Sequence, residues 1–91
     1  MQERVRTTIH HYLVSTWLSG DERGFDDDTD LLAAGILDSF STLSITAFLD
    51  ENFHVQLEPA ELNPANLRNV NAITRIVLAK LATQEPSPAP A

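Results

Sequence analysis

The sequence contains no cysteine and only 3 glycines among its 91 residues. Without cysteine, disulfides, thiolate nucleophiles and zinc or iron–sulfur sites with cysteine ligands are excluded. The glycines fit neither GxGxxG nor P-loop spacing, so a glycine-rich phosphate loop is excluded as well. No apolar run approaches the roughly 20 residues that span a bilayer, and residues 1–11 lack the apolar stretch of a secretory signal. We therefore expect a cytoplasmic protein without a membrane partner.

Basic residues are also scarce, with 6 Lys and Arg against 13 Asp and Glu and a net charge of −7. Nucleic-acid binding needs clustered cations that neutralise phosphates, so no nucleic-acid partner is expected. An acidic chain is better suited to encounter with basic protein surfaces. An apolar content of 43% is enough for one core in a chain of this length. We expect one folded domain that is monomeric.

The apolar residues that are present recur at helical spacing in three stretches. The three stripes consist of Val5, Ile9, Leu13 and Trp17, of Ile45, Leu49 and Phe53, and of Val70, Ile73, Ile76, Val77 and Leu81. The first helix should end near Ser19-Gly20, and the last should start after the cap Asn69 and end near Thr83. Asn63-Pro64 predicts one additional short helix. The expected fold class is therefore all-α, a four-helix-type bundle of three main helices and one short helix.

The connecting segments have a different composition. Residues 21–30 hold six carboxylates and no periodicity, which predicts a long solvated loop pinned by Phe25 and by Leu31-Leu32. Residues 54–57 alternate briefly without a partner strand, so we interpret them as an extended connector. Residues 85–91 contain three prolines and no large apolar residue. We expect a domain over residues 1–84 and a disordered Pro/Ala tail over residues 85–91.

The strongest candidate for chemistry is the pair Asp38-Ser39 at the predicted start of the second helix. Either side chain could accept a hydrogen bond from a free amide of the first helical turn. A phosphate ester on the Ser39 hydroxyl would lie near free amides and the positive end of the helix dipole. Taken alone, an Asp-Ser pair is usually only a helix cap.

The surroundings of this pair give it more weight. The segment GILDSFSTLSITAFLDENFHV resembles the modification site of the acyl carrier and peptidyl carrier protein family. The acidic approach DDDTDLLAAG, the exit FLDENFHVQL, the short NPANL helix and the NVNAITRIV start of the last helix also resemble this family. The resemblance covers most of the chain and implies the fold of a four-helix carrier domain.

The resemblance makes Ser39 the attachment point of 4′-phosphopantetheine and Asp38 the acid that precedes it. A separate phosphopantetheinyl transferase would move the group from coenzyme A to the serine and would bring Mg²⁺. The thiol of the arm would then hold acyl or aminoacyl groups as thioesters, loaded by one enzyme and consumed by a downstream synthase or transferase. The chain itself would be a carrier and not an enzyme.

Partner docking is expected to involve Phe40, which stands where the family usually has Leu or Met, together with Ala47 and Glu51 on the same helical stripe. An alternative reading places Phe40 in the core. Carriers of fatty-acid synthesis tend to have many carboxylates along this helix, whereas residues 39–49 have none. The resemblance therefore favours a freestanding carrier of polyketide, nonribosomal peptide or related antibiotic biosynthesis.

The acidic loop and the second helix each suggest a different function. Asp26, Asp28 and Asp30 alternate as in an EF-hand loop, but Leu31 and Leu37 replace its glycine and bidentate glutamate, so no metal site is expected.

The rival function is an unmodified acidic helical adaptor that docks through the Phe40 stripe and uses Ser39 only as a cap. It predicts that Ser39→Ala costs about 1 kcal/mol of stability and nothing else.

Overall fold

Three main helices and one short helix form the fold in the computed structural model, which describes residues 2–21 and 23–83. They are α1 (Gln2–Trp17), α2 (Ser39–Phe53), α3 (Pro64–Leu67) and α4 (Val70–Thr83), with a 3₁₀ turn at Pro59–Glu61. Within those two ranges there is no strand. The expected all-α bundle, with its long loop between the first two main helices, is confirmed. The Pro/Ala tail expected over residues 85–91 lies outside the described residues.

The core is built from the predicted apolar stripes. The fully buried members of the stripes are Val5, Ile9 and Leu13 on α1, Ile45 and Leu49 on α2, and Val70, Ile73 and Val77 on α4. The last members of the α1 and α2 stripes, Trp17 and Phe53, are half-buried and pack against this core. Helix α4 contacts all three of the other helices. In the part of the chain that is described, no helix is long and apolar enough to cross a membrane.

The ends of the helices follow local side-chain chemistry. The side chains of Asn63 and Asn69 accept hydrogen bonds from amides three residues ahead, at 3.1 Å and 2.7 Å, so both predicted caps are confirmed. Helix α1 ends at Trp17, slightly before the predicted end. The chain then turns through Ser19 and Gly20, both with positive φ (55° and 82°), a backbone conformation that glycine adopts without strain.

The acidic loop between α1 and α2 is held against the helices more firmly than a solvated loop would be. The Asp27 carboxylate lies 2.9 Å from Nδ1 of His10 on α1. The Asp28 carboxylate accepts a hydrogen bond of 2.7 Å from Asn71, and Asp30 pairs with Arg68 at 3.1 Å. These contacts fix the position of residues 27–30, which precede the segment 31–38 that leads to α2.

The two leucines expected to pin this loop have different roles. Leu31 is fully buried, as predicted, whereas Leu32 is 53% exposed, so the prediction for Leu32 is wrong. The Leu31 amide donates to the Arg68 carbonyl at 2.6 Å, and the Leu31 carbonyl accepts from the amides of Ile36 and Leu37. The backbone therefore closes into a turn around Leu31, and that turn leaves Leu32 outside.

Candidate functional site

The Ser39 side chain lies at the first residue of α2 and is exposed to solvent. Its hydroxyl forms no hydrogen bond with any residue within 2–21 or 23–83. The buried residues Ile36 and Leu37 hold the chain immediately before it. An exposed hydroxyl on a fixed backbone can be covalently modified without breaking an internal contact.

The helix cap belongs to Asp38 and Ser41 instead of Ser39. The Asp38 carboxylate accepts from the Ser41 amide at 2.8 Å, and the Ser41 hydroxyl accepts from the Asp38 amide at 2.7 Å. The Ser41 hydroxyl, which is fully buried, also donates to the Ile36 carbonyl at 2.5 Å. This reciprocal arrangement is a capping box. The sequence allowed either side chain of the Asp38-Ser39 pair to cap, and the geometry selects Asp38.

Sequence reasoning missed the role of Ser41, although a signal for it was present. A capping box places two polar side chains three positions apart, which is the spacing of Asp38 and Ser41. The box has a consequence for a phosphate on Ser39. The Ser41 amide is already occupied by the Asp38 carboxylate, so it is not one of the free amides expected to receive such a phosphate.

The capping geometry also changes the acidity of Asp38. The hydrogen bond from the Ser41 amide is the main reason why the pKa of the Asp38 carboxyl is lowered, and the Ser41 hydroxyl and the Phe40 amide lower it further. The carboxylate is therefore charged at neutral pH. It adds negative charge beside Ser39, which favours a basic partner surface.

The outer face of α2 next to Ser39 is apolar. Phe40 is 69% exposed, so the reading that buries it in the core is wrong. Ala47 and Glu51 are exposed as well, while Ser44 on the same stripe is half-buried. Leu43, three residues after Phe40, is 66% exposed and was not among the expected docking residues. Its spacing from Phe40 places both on one helical face.

Aromatic rings fill the seam between α1 and α2. The Trp17 and Phe40 rings meet edge-on with centroids 6.1 Å apart, and the Tyr12 and Phe48 rings stack at 3.9 Å. Since later residues of α1 pair with earlier residues of α2, the two helices are antiparallel. The end of α1 therefore lies beside Ser39.

A matched pair of serine variants tests the assignment of the cap. Ser41→Ala should lower the free energy of unfolding by about 1–3 kcal/mol, because it leaves the buried Ile36 carbonyl and the Asp38 amide without their partner. Ser39→Ala should change it by less than about 0.5 kcal/mol, because the hydroxyl is exposed and unbonded. Urea denaturation of both variants measures the difference. Equal losses, or a larger loss for Ser39→Ala, would contradict this capping arrangement.

The lowered pKa of Asp38 predicts a pH effect of defined sign. Because the folded-state pKa lies below the unfolded one, its contribution to stability is present above the unfolded pKa and is lost as pH falls through the folded value. Asp38→Asn keeps a capping oxygen but does not titrate. We expect wild type to lose more stability than Asp38→Asn between about pH 5 and pH 2. Parallel curves from denaturation at each pH would contradict the shift.

The described residues form a small all-helical bundle with an exposed serine at the first residue of α2, which is consistent with the fold of a small acyl carrier protein. The chain is similar to a protein of Serratia sp. (strain ATCC 39006) named "Probable acyl carrier protein PigG". The two are 27% identical over 73 residues, which cover 80% of this chain and 84% of that protein. The similarity supports assignment of the chain to the acyl carrier protein family. No protein-family model matches the chain.

Proposed function

We propose that this protein is a non-catalytic carrier whose Ser39 is modified with 4′-phosphopantetheine. The observation that carries the proposal is the contrast between Ser39 and Ser41 at the start of α2. Ser41 is buried and holds the capping box, whereas Ser39 is exposed and its hydroxyl has no partner in the described ranges. The similarity to a protein named "Probable acyl carrier protein PigG" gives independent support.

The residues around Ser39 suit an attachment reaction catalysed by another enzyme. The Ser39 oxygen would attack the pantetheine-bearing phosphorus of coenzyme A, forming an ester bond and releasing adenosine 3′,5′-bisphosphate as the pyrophosphate bond breaks. A base of the phosphopantetheinyl transferase would take the hydroxyl proton, and its Mg²⁺ would neutralise the phosphates. The attached arm supplies a thiol that carries acyl or aminoacyl groups as thioesters.

Docking of partner enzymes is assigned to the outer face of α2, formed by Phe40, Leu43, Ala47 and Glu51. Two large apolar side chains are exposed on this face, and such patches commonly contact other proteins. The partners are the transferase, an enzyme that loads the arm and a downstream synthase or transferase. The lack of carboxylates over residues 39–49 favours polyketide, nonribosomal peptide or related antibiotic biosynthesis, in the cytoplasm.

The rival proposal, an unmodified acidic adaptor, gives Ser39 only a capping role. Asp38 and Ser41 already satisfy the cap, so that role has no support in the hydrogen bonds at this helix end. The exposed face of α2 fits docking under either proposal. Modification of Ser39 is therefore the property that separates them.

The absence of cysteine offers a direct test of this function. The unmodified chain has no thiol, so a chromogenic thiol reagent should give no signal before modification. After incubation with coenzyme A, Mg²⁺ and a broad-specificity phosphopantetheinyl transferase, followed by desalting, we expect one thiol per chain. An established carrier protein treated in parallel controls for transferase activity. No thiol in this chain, with full modification of the control, would contradict the proposal.

A further inference from the structure

The Phe40 ring is exposed and yet has a defined aromatic neighbour. It directly follows Ser39 and lies 69% open to solvent. Its ring meets Trp17 at a centroid distance of 6.1 Å and an interplanar angle of 83°. This is the edge-to-face arrangement that aromatic pairs favour, within the preferred range of about 4.5–7 Å. The exposed ring therefore packs against the last residue of α1.

Trp17 is suited to hold that ring because it is itself fixed. It is the last residue of α1, is half-buried and packs against the core. An exposed phenylalanine in the first turn of a helix would otherwise exchange between two common χ1 rotamers. The contact with Trp17 favours one orientation of Phe40 before any partner arrives.

We propose that Trp17 is a positioning residue for partner recognition, which orders the Phe40 ring beside Ser39 in the free carrier. The inference rests on the proposed function, in which enzymes that act at Ser39 dock on the outer face of α2. A ring that is ordered in advance loses less conformational entropy when a partner binds. Trp17 therefore lowers the KM of enzymes for the carrier and leaves kcat unchanged, because it does not touch the reacting hydroxyl.

The same seam offers a matched control at Phe48. The Phe48 ring stacks on Tyr12 at 3.9 Å, and Phe48 lies nine residues beyond Ser39 in the sequence. Phe48→Leu removes an aromatic ring from the seam as Trp17→Leu does, but the ring contacts of Phe48 are with Tyr12 and Phe53. A purely structural role for the seam predicts similar effects of both variants on docking.

The test measures initial rates of phosphopantetheine transfer from coenzyme A with carrier concentration varied. We expect Phe40→Ala and Trp17→Leu each to raise KM by about 2- to 10-fold with kcat unchanged. Trp17→Phe, which keeps an aromatic ring, and Phe48→Leu should each stay within about 2-fold of wild type. Circular dichroism and urea denaturation establish that each variant is folded at the assay temperature. Trp17→Met replaces Trp17→Leu in every comparison if the leucine variant is unfolded.

A double-mutant cycle shows whether Trp17 acts through Phe40. The combination of Trp17→Leu with Phe40→Ala should have the KM of Phe40→Ala alone, because the residue being positioned is already gone. Additive effects, an unchanged KM for Trp17→Leu or an unchanged KM for Phe40→Ala would each overturn the inference. An equal effect of Phe48→Leu would overturn it too. Failure of wild type to be modified would instead contradict the proposed function.

A second readout needs no enzyme. Trp17 is the only tryptophan in the sequence, so its fluorescence reports on its own surroundings. Phe40→Ala should shift the emission to longer wavelength, because the indole loses its ring neighbour and gains contact with water. Leu43→Ala, on the same outer face of α2, should leave the spectrum unchanged. Identical spectra for wild type and Phe40→Ala would contradict the positioning contact.

Discussion

Replacement of Ser39 by alanine should abolish attachment of phosphopantetheine and, with it, all thioester loading of the protein. The expected loss is complete, because the proposed attachment uses the Ser39 hydroxyl alone. Ser41 is buried within the capping box, and the sequence contains no cysteine. The fold should be retained, since the Ser39 hydroxyl has no hydrogen bond with any described residue. Incorporation of label from radioactive coenzyme A, read against circular dichroism of the same sample, measures both properties.

Ser44→Ala is the matched control for this experiment. Ser44 lies on the same helix and is half-buried, so its removal tests the loss of a hydroxyl without touching the proposed attachment point. It should incorporate as much label as wild type. If Ser39→Ala incorporated as much label as wild type, the group would be attached to another residue and the proposal would be contradicted. A Ser39→Ala protein that is unlabelled because it is unfolded would contradict the assignment of the helix cap to Asp38 and Ser41.

The second large effect is expected at Leu31, which organises the approach to Ser39. The side chain is fully buried, and its backbone forms hydrogen bonds with the backbone of Arg68, Ile36 and Leu37. Leu31→Ala would leave a cavity and should cost about 2–5 kcal/mol of the free energy of unfolding. For a domain of this size the loss corresponds to a fall in Tm on the order of 10–30 °C. Thermal denaturation followed by circular dichroism measures it.

The neighbouring residue supplies the control. Leu32 is 53% exposed, so Leu32→Ala removes the same atoms from a side chain that is mostly in water. It should cost less than about 1 kcal/mol. Equal shifts in Tm for the two variants would contradict the turn that buries Leu31 and exposes Leu32.

The helices and several of their ends could be predicted because their signals are local. Apolar spacing marks the buried faces of α1, α2 and α4, and it needs no knowledge of what those faces pack against. The caps Asn63 and Asn69 bond to amides only three residues away. Helix α2 begins at Ser39, where the Asp-Ser pair predicts a helix start.

Features that depend on tertiary contacts were not predictable in the same way. Two adjacent leucines in a loop have no periodicity, so the sequence could not show that Leu31 faces the core and Leu32 faces water. The anchoring of the acidic loop depends on Asn71 and Arg68, which lie some forty residues further along the chain. The edge-on contact of Trp17 with Phe40 likewise requires α1 and α2 to be antiparallel.

Most of the few basic residues lie next to carboxylates. The basic residues within ion-pair distance of a carboxylate include Arg6, Arg23, Arg68 and Lys80. Of these, Arg6 and Arg68 hold the acidic loop. Near the proposed docking face, the charged residues of α2 and its cap are Asp38, Asp50 and Glu51. The side of the molecule that presents Ser39 therefore combines exposed apolar side chains with negative charge. A partner surface with an apolar centre and a basic rim would complement it.

Mass spectrometry tests the central claim most directly. Wild-type protein is incubated with coenzyme A, Mg²⁺ and an active phosphopantetheinyl transferase, weighed intact, then digested and sequenced by fragmentation. We predict a mass increase of one 4′-phosphopantetheine group, located on Ser39. An unchanged mass while a known carrier in the same tube is fully modified would contradict the account, as would an adduct on any other residue.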